Sequence, residues 1–488
     1  MPRHPRPDPG PTDLTPELVA LGVVVALGAI MMQLDMTMTN VATNTFLHDF
    51  HVPLTTIQWV GTGYLISMAT VIPIGGWAME RFGARAVWTA SLVMFMVGSA
   101  LAGCAWSASS LIAFRAAQGL GGGLILPVAQ AVLATAAGPE RLPKAMAMFG
   151  VPALLGPVLG PVLGGWIVTD LSWRWIFFVN LPLCALALAL SVRRIPAGRT
   201  GTSGRLDALG LALLSGGSVG LVFGFAEAGR GGSFTATRAL APLLAGVVLL
   251  LAFTLHSRFG RGVPVIDVRL LARRGFGSAS AVMFLATTVM FGTMGLIPLY
   301  FQQVRGQSAL HTGLLMIPFG IGMGVSLIAG SRLIERLGGR ALAVGGLLAQ
   351  IGANLALTRL DAATPYPLIG TLQVIGGLGI GTVLVPVMSA SLAGLRPEEV
   401  PRASTAVRVF QQLGGSLGGA LLFVVLQRHI GSHGARPDVA ALAHAFGATF
   451  RWPAAIGGVT LLAALFLPAA TRPQEAPPPA PAVAGRRG

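Results

Sequence analysis

One carboxylate stands deep inside an apolar run of this chain: Asp35, in "LDMTMTN". One arginine, Arg115, stands inside another, "LIAFRAAQGLGGG" (Leu111–Gly123). Both runs are long enough to cross a bilayer, where a charged side chain costs about 2.5–3.5 kcal/mol on insertion scales. A carboxyl group withdrawn from water holds its proton more readily, so Asp35 is suited to taking up and releasing protons near neutral pH. An arginine keeps its proton in a protein. Arg115 beside Asp35 would therefore bias the acid towards its charged form and set when the proton leaves. Two other readings stay open: an acid that only ties neighbouring helices together, and an arginine that snorkels to an interface. No Walker-type phosphate loop, nucleophilic triad or metal-ligand spacing is present, which argues against ATP as energy source, against an enzyme, and against a metal or other cofactor.

The elements that must position this pair are membrane helices. The chain has 488 residues, 53% hydrophobic and 10% charged, with mean hydropathy +0.74. Soluble domains carry about 25% charged residues. The net charge of +16 does not indicate nucleic acid, because the arginines punctuate the apolar runs rather than cluster on a polar module. Cys104 and Cys184 both lie in apolar runs, so neither a disulfide framework nor a metal site is expected. Runs bounded by charges or turn residues fall at 18–46, 56–79, 86–106, 109–137, 145–169, 174–192, 207–228, 238–257, 276–303, 310–334, 341–359, 366–395, 403–426 and 441–469. They predict fourteen spans. The first is too long for a cleavable signal.

Orientation follows from the basic residues. If the N-terminus lies inside, the inside segments hold most of the 33 lysines and arginines, among them Arg81, Arg85, Arg141, Lys144, Arg193 and Arg194. Cytoplasmic loops carry such an excess, so both termini are expected in the cytoplasm and the protein in the inner membrane.

The chain also repeats itself. "ERFGAR" (Glu80–Arg85) joins spans 2 and 3, and "ERLGGR" (Glu335–Arg340) joins spans 10 and 11. "GLGGGLILPV" (Gly119–Val128) recurs as "GLGIGTVLVPV" (Gly377–Val387), and Gly156 and Gly160 match Gly414 and Gly418 at a nearly constant offset. The fold class expected is an all-α integral membrane protein: two parallel six-helix bundles, at 18–192 and 276–469, with two extra helices inserted at 207–257. Parallel repeats of this kind are a transporter architecture. The remaining segments read as a cytoplasmic tail (1–17), a linker (193–206), a loop with an interfacial helix (258–275) and a disordered tail (470–488). In that loop Val265, Ile266, Val268 and Leu271 would face lipid, and Arg269, Arg273 and Arg274 the headgroups.

These motifs carry a resemblance. "GWAMERFGARAVW" (Gly76–Trp88) resembles the loop signature between helices 2 and 3 of the major facilitator superfamily, with Ala78 where leucine is usual and Glu80 where aspartate is usual. With "LDMTMTNVA" (Leu34–Ala42), "WRWIFFVNLP" (Trp173–Pro182), "PVIDVRLL" (Pro264–Leu271), "IPLYFQQVRGQSALHTGLLMIP" (Ile297–Pro318) and "QQLGGSLG" (Gln411–Gly418), the chain is similar to the fourteen-helix drug:proton antiporter branch. The resemblance implies proton-driven export of small lipophilic compounds by alternating access. The alternative is a substrate-specific carrier: an exporter of an endogenous metabolite, or an uptake symporter.

Residue roles follow. Asp35 and Arg115 are the candidate proton-coupling pair. Gly76, Glu80, Arg81, Gly83 and Arg85, with Glu335, Arg336, Gly338 and Arg340, are candidate gating residues. Glu80 would pair with Arg81 or Arg85, and Gly83 would allow a tight turn; the alternative is a set of charges that only marks the membrane boundary. Gly156, Pro157, Gly160, Pro161 and Gly164 of span 5 resemble the superfamily's antiporter signature: the glycines make a smooth face and the prolines bend the helix. A tightly packed but passive helix is the other reading. Gln33, Asn40, Gln118, Gln302, Arg408 and Gln411 are candidate polar residues of the cavity. Arg408 departs from the family, which has a polar residue there and its arginine one turn later. If it lines the site, it should discourage permanently cationic substrates. Gln373 replaces Arg115 in the second half, which confines the proton machinery to the first. Glu227 reads as an interfacial acid. The expected partners are a small-molecule substrate, protons and membrane lipids, with the chain acting as a monomer without an obligate adaptor.

Overall fold

The computed structural model describes residues 14–195, 206–260, 264–393, 395–396, 398–432 and 438–468. Both tails and the linker therefore fall largely outside the described residues. What is described is helical. The helices along the expected spans are α1 (Pro16–Val41), α2 (Trp59–Phe82), α3 (Ala84–Gly103), α4 (Ala108–Gly138), α5 (139–170), α6 (Trp175–Arg194), α7 (Ala208–Gly231), α8 (Thr237–Phe259), α9 (Arg274–Gln303), α10 (Ile317–Leu337), α11 (Gly339–Leu357), α12 (Tyr366–Leu392), α13 (Val400–Gly431) and α14 (Arg451–Ala464). Among the described residues, twelve helices are long and apolar enough to cross a membrane unaided. The two expected spans outside that count are present as helix. Span 5 is the continuation of α4. Span 14 is broken at Phe450 into Val439–Thr449 and α14.

Local chemistry sets the helix ends. Thr15 caps α1, with Pro16 in the first turn. Ser107 and Ser110 form a reciprocal capping box for α4. Asp207 accepts from Gly210 N at 2.8 Å to cap α7. The loop expected at 138–144 is not a loop. Helix runs from Ala108 to Asp170 with a single break, at Gly138 (φ 69°, ψ 175°), so Arg141 and Lys144 ride on the first turns of α5. Glycine alone tolerates that backbone, which explains why the chain turns there without unwinding.

The halves pack alike. In the first, α5 lies along α1: a side chain at Gly156 would overlap Gln33, one at Gly160 would overlap Thr37, and one at Gly164 would lie 3.0 Å from Met38 Cα. In the second, Gly414 and Gly418 of α13 press on the Phe284 and Thr288 carbonyls of α9 in the same way. Lipid supplies no hydrophobic drive between helices, so small residues and close van der Waals packing hold them. The inserted helices follow this rule: Gly217, Gly220 and Gly224 of α7 pack against Gly246, Pro242 and Leu243 of α8. Helix α7 also lies on both halves, touching α2 and α13. Ser215 donates to the Thr70 carbonyl at 2.8 Å. Arg230 donates to the Thr62 hydroxyl while pairing with Glu227 at 2.8 Å.

The two hexapeptides build one turn twice. Gly83 has φ 83°, ψ 149°, and Gly338 has φ 81°, ψ 148°; each ends one helix and opens the next. This conformation is essentially restricted to glycine, so both positions require it. The expected interfacial helix over 264–274 is not formed. Residues 268–272 make one 3-10 turn, and Val265, Ile266 and Leu270 are buried against protein. The reason is hydrogen bonding: Ser257 donates to the Ile266 carbonyl at 3.0 Å, and Arg273 grips Glu399 with both guanidinium nitrogens. The Arg396 N–H, then Arg273, hold the Glu399 carboxyl below the usual glutamate range.

Substituting Gly83 or Gly338 by alanine should cost about 1–3 kcal/mol of backbone strain. The measurement is the thermal unfolding midpoint in detergent. Gly345→Ala, where nothing lies within 4 Å of a new side chain, is the control and should not lower it.

Candidate functional site

The Asp35 carboxylate is fully buried in the first half. Its Oδ2 accepts from Arg115 NH1 at 2.6 Å. Its Oδ1 accepts from Gln118 Nε2 at 2.9 Å and from Asn180 Nδ2 at 2.8 Å. Three helices thus meet at one side chain, and Asn180 ties in a fourth: Asp35 comes from α1, Arg115 and Gln118 from α4, and Asn180 from α6, whose amide also donates to Ser99 of α3 at 3.0 Å. Arg115 is 1% exposed and lies over the Tyr64 ring of α2, 4.2 Å from its centroid. Its NH1 also donates to Gln118 Oε1 at 2.6 Å. The expected proximity of Asp35 and Arg115 is therefore an ion pair. Removing one partner of a buried pair costs about 3–5 kcal/mol, because the other is left charged in a medium that solvates it poorly.

The sequence reading did not single out Asn180, Ser99 or Tyr64. Asn180 had a signal, since it lies in "WRWIFFVNLP". That stretch works as one device. Trp173 Nε1 donates to Asp49 at 2.6 Å, the Phe177 carbonyl accepts from Ser99 at 2.9 Å, and Asn180 reaches Asp35. The glycine face of α5 holds α1 on its other side. The Thr37 hydroxyl donates to the Gly156 carbonyl at 3.1 Å. Helix continues through Pro157 and Pro161, whose side chains lie outside the described residues.

On the face carrying the hexapeptides, Glu80 is paired, but not as expected. Both its oxygens accept from Arg402 of α13, through Nε and NH2, each at 2.6 Å. The tie crosses between the halves. Arg85 turns to the Ile195 carbonyl at 2.6 Å, and Arg81 is exposed. Distance along the chain hides the true partner, because α13 reaches α2 only when the two bundles dock. Docking is close: a side chain on Gly76 would lie 3.0 Å from Arg402 Cα. A 3-10 turn at Ile72–Ile74, where Pro73 interrupts the α-helical pattern, precedes this contact. In the second hexapeptide Arg336 is exposed and Arg340 half-buried, while the Glu335 side chain lies outside the described residues.

The candidate cavity residues separate. Gln118 belongs to the Asp35 cluster. Arg408 donates to Gln411 at 3.2 Å, and Gln411 Nε2 reaches the Met283 sulfur at 3.3 Å. Gln33 is half-buried beneath Gly156. Asn40 and Gln302 are exposed in the last turns of α1 and α9, where their side chains reach the surface rather than the interior. Gln373, the counterpart of Arg115, donates to the Leu315 carbonyl at 3.1 Å.

Two like-packed helical bundles, one buried ionisable pair and an ion pair between the bundles at one membrane face define a multi-pass transporter. The chain belongs to the Major Facilitator Superfamily, which it matches over residues 25–419. It is 38% identical over 418 residues to the multidrug resistance protein B homolog of Mycobacterium tuberculosis, covering 85% of this chain and 77% of that one. It is 34% identical over 456 residues to puromycin resistance protein pur8 of Streptomyces alboniger, covering 91% and 90%. Its fold is similar to the crystal structure of the human organic anion transporter MFSD10, at 19% identity, TM-score 0.65, and 92% and 100% coverage. It is a multi-pass membrane protein, and a transporter by family rather than an enzyme.

Arg115→Met should lower the unfolding midpoint sharply at pH 8, by the equivalent of about 3–5 kcal/mol. Adding Asp35→Asn should recover most of that loss, since no charge is then stranded. A double variant as unstable as Arg115→Met would assign the effect to lost packing of the arginine instead.

Proposed function

We propose that the protein is a proton-coupled exporter of small lipophilic compounds, working by alternating access in the cytoplasmic membrane. Its relatives named for multidrug and puromycin resistance support the substrate class. The observation that carries the reading is the buried Asp35 carboxylate with Arg115 and two neutral amides. Asp35 is the proton carrier. Charged, it is held by Arg115. Protonated, it loses the charge that attracts the guanidinium while the amides still bond it, so a proton exchanges a rigid ion pair for a looser neutral contact.

The hexapeptide face is taken as cytoplasmic, with both termini on that side, because the basic loops lie there. Glu80–Arg402, with Gly76 against α13, latches the halves at that face, and the Gly83 and Gly338 turns are the points about which it opens. Helix α5, smooth along its glycine face, slides on α1 as the halves rock. The protein acts as a monomer and needs no adaptor. Release of substrate on the far side then accompanies inward passage of a proton through Asp35.

Asp35→Asn keeps the shape of the protonated acid but cannot cycle. It should abolish pH-gradient-driven efflux from proteoliposomes and leave substrate binding within a few-fold; efflux at the wild-type rate would remove Asp35 as carrier. For the latch, Glu80→Arg and Arg402→Glu should each slow transport by roughly tenfold, about 1.4 kcal/mol. The charge-swapped double variant should recover part of it. Single variants that transport normally would leave Glu80 as a boundary charge.

A further inference from the structure

The bundle interior is one anion short. Among the described residues, Asp35 is the one acid set deep in a spanning helix; the others stand near helix ends or between helices. Two guanidiniums share that interior. Arg115 has Asp35 as its counterion. For Arg408, in α13, no carboxylate partner exists among the described residues. Its NH1 donates to the Gln411 side-chain oxygen Oε1 at 3.2 Å, and its Nε is buried with no acceptor. Gln411 cannot supply charge, and its own amide nitrogen points at a methionine sulfur. An arginine cannot relieve this by losing its proton.

Tyr64 completes the arrangement. Its hydroxyl is buried without a hydrogen-bond partner and lies within electrostatic reach of Arg408. Gly122 leaves it room: a side chain there would come within 2.7 Å of the phenolic oxygen. The ring of Tyr64 carries Arg115 at 4.2 Å, so a tyrosine of the first half touches one guanidinium while its hydroxyl, like Arg408 Nε, is a buried donor left unused. Arg408 is half-buried, so part of its surface is accessible.

We propose that Arg408, aided by Tyr64 and positioned by Gln411, is an anion subsite for the transported molecule, whose class is then lipophilic carboxylates rather than lipophilic cations. The proposal rests on the transporter reading above. An incoming carboxylate cancels the stranded charge and accepts from the guanidinium and the phenol, whereas a cation meets two arginines. The cost of keeping Arg408 half-buried without a counterion in the empty protein is returned when the anion binds, which gives the site its discrimination.

The test uses the full chain in nanodiscs and three fluorescent probes of equal length: 1-pyrenebutyrate, its methyl ester, and the matching pyrenebutyl trimethylammonium ion, with binding to empty nanodiscs subtracted. The wild type should bind the carboxylate at least roughly tenfold more tightly than the cation. Arg408→Gln should collapse the carboxylate-to-ester affinity ratio towards one. Arg408→Lys should retain part of the preference, and Tyr64→Phe should reduce it. These two conservative variants keep the proposal open to refutation if Arg408→Gln fails to fold. Equal binding of cation and carboxylate by the wild type, or an unchanged ratio in Arg408→Gln, would overturn it. So would loss of carboxylate binding to an equal concentration of chloride, which would make the anion an inorganic ion. Efflux of 1-pyrenebutyrate by wild-type proteoliposomes is scored separately: its failure where binding is retained counts against the transporter reading, not against the subsite.

Discussion

The structure depends on one ion pair held out of water. Asp35 and Arg115 attract each other more strongly in the low-dielectric bundle than they would at a surface, and neither can be left alone there. Everything around them serves that constraint. Two carboxamides fill the remaining acceptor positions of the carboxylate, an aromatic ring covers the guanidinium, and four helices of one half are fixed relative to one another. The cluster is bonded at the acid, where three donors fix the carboxylate, and incompletely bonded around it, where Arg115 Nε and Asn180 Oδ1 are buried without a partner.

A transporter also needs surfaces that part. Within each half the helices meet through glycine faces, α5 on α1 and α13 on α9, where backbones touch and few side chains interlock. Between halves the described polar ties are different in kind. Glu80 and Arg402 are only partly exposed, yet they lie at the membrane face, where water can solvate each charge once the halves separate. Separating the Glu80–Arg402 pair therefore costs modest energy compared with breaking the Asp35 pair. Arg402 also donates to the Pro264 carbonyl at 3.1 Å, and Glu399 one turn earlier holds Arg273. The segment after the inserted helices is thus bonded to the same corner of α13 as Glu80. Helix α7 lies against α2 and α13 alike, so the insertion is part of the seam between the halves rather than an appendage.

Much of this was legible in the residues. Apolar run length gave the helices, because a bilayer admits only backbone that bonds to itself. Gly83 and Gly338 announced their turn by recurring in the same hexapeptide. The isolated Asp35 and Arg115 announced each other, since a charge buried in a span has few other means of compensation. Where the reading missed, the missing information was spatial. The segment 264–274 has the amphipathic pattern of an interfacial helix, but periodicity does not tell lipid from protein, and hydrogen bonds to Ser257 and Glu399 decided for protein. Gly138 and the charges after it looked like a loop, yet one glycine sufficed to turn the helix.

The sequence by itself therefore determined what is local: the helices, the glycine turns, the repeated halves and which few residues carry charge into the membrane. The tertiary structure alone decided who meets whom. It gave Glu80 to Arg402 rather than to its neighbours Arg81 and Arg85, recruited Asn180 and Ser99 to Asp35, and left Arg408 beside Gln411 with no acid among the described residues. The physical reason is that burial and pairing of a charge depend on distances of a few ångströms between helices far apart in the chain, and no spacing along one helix encodes them.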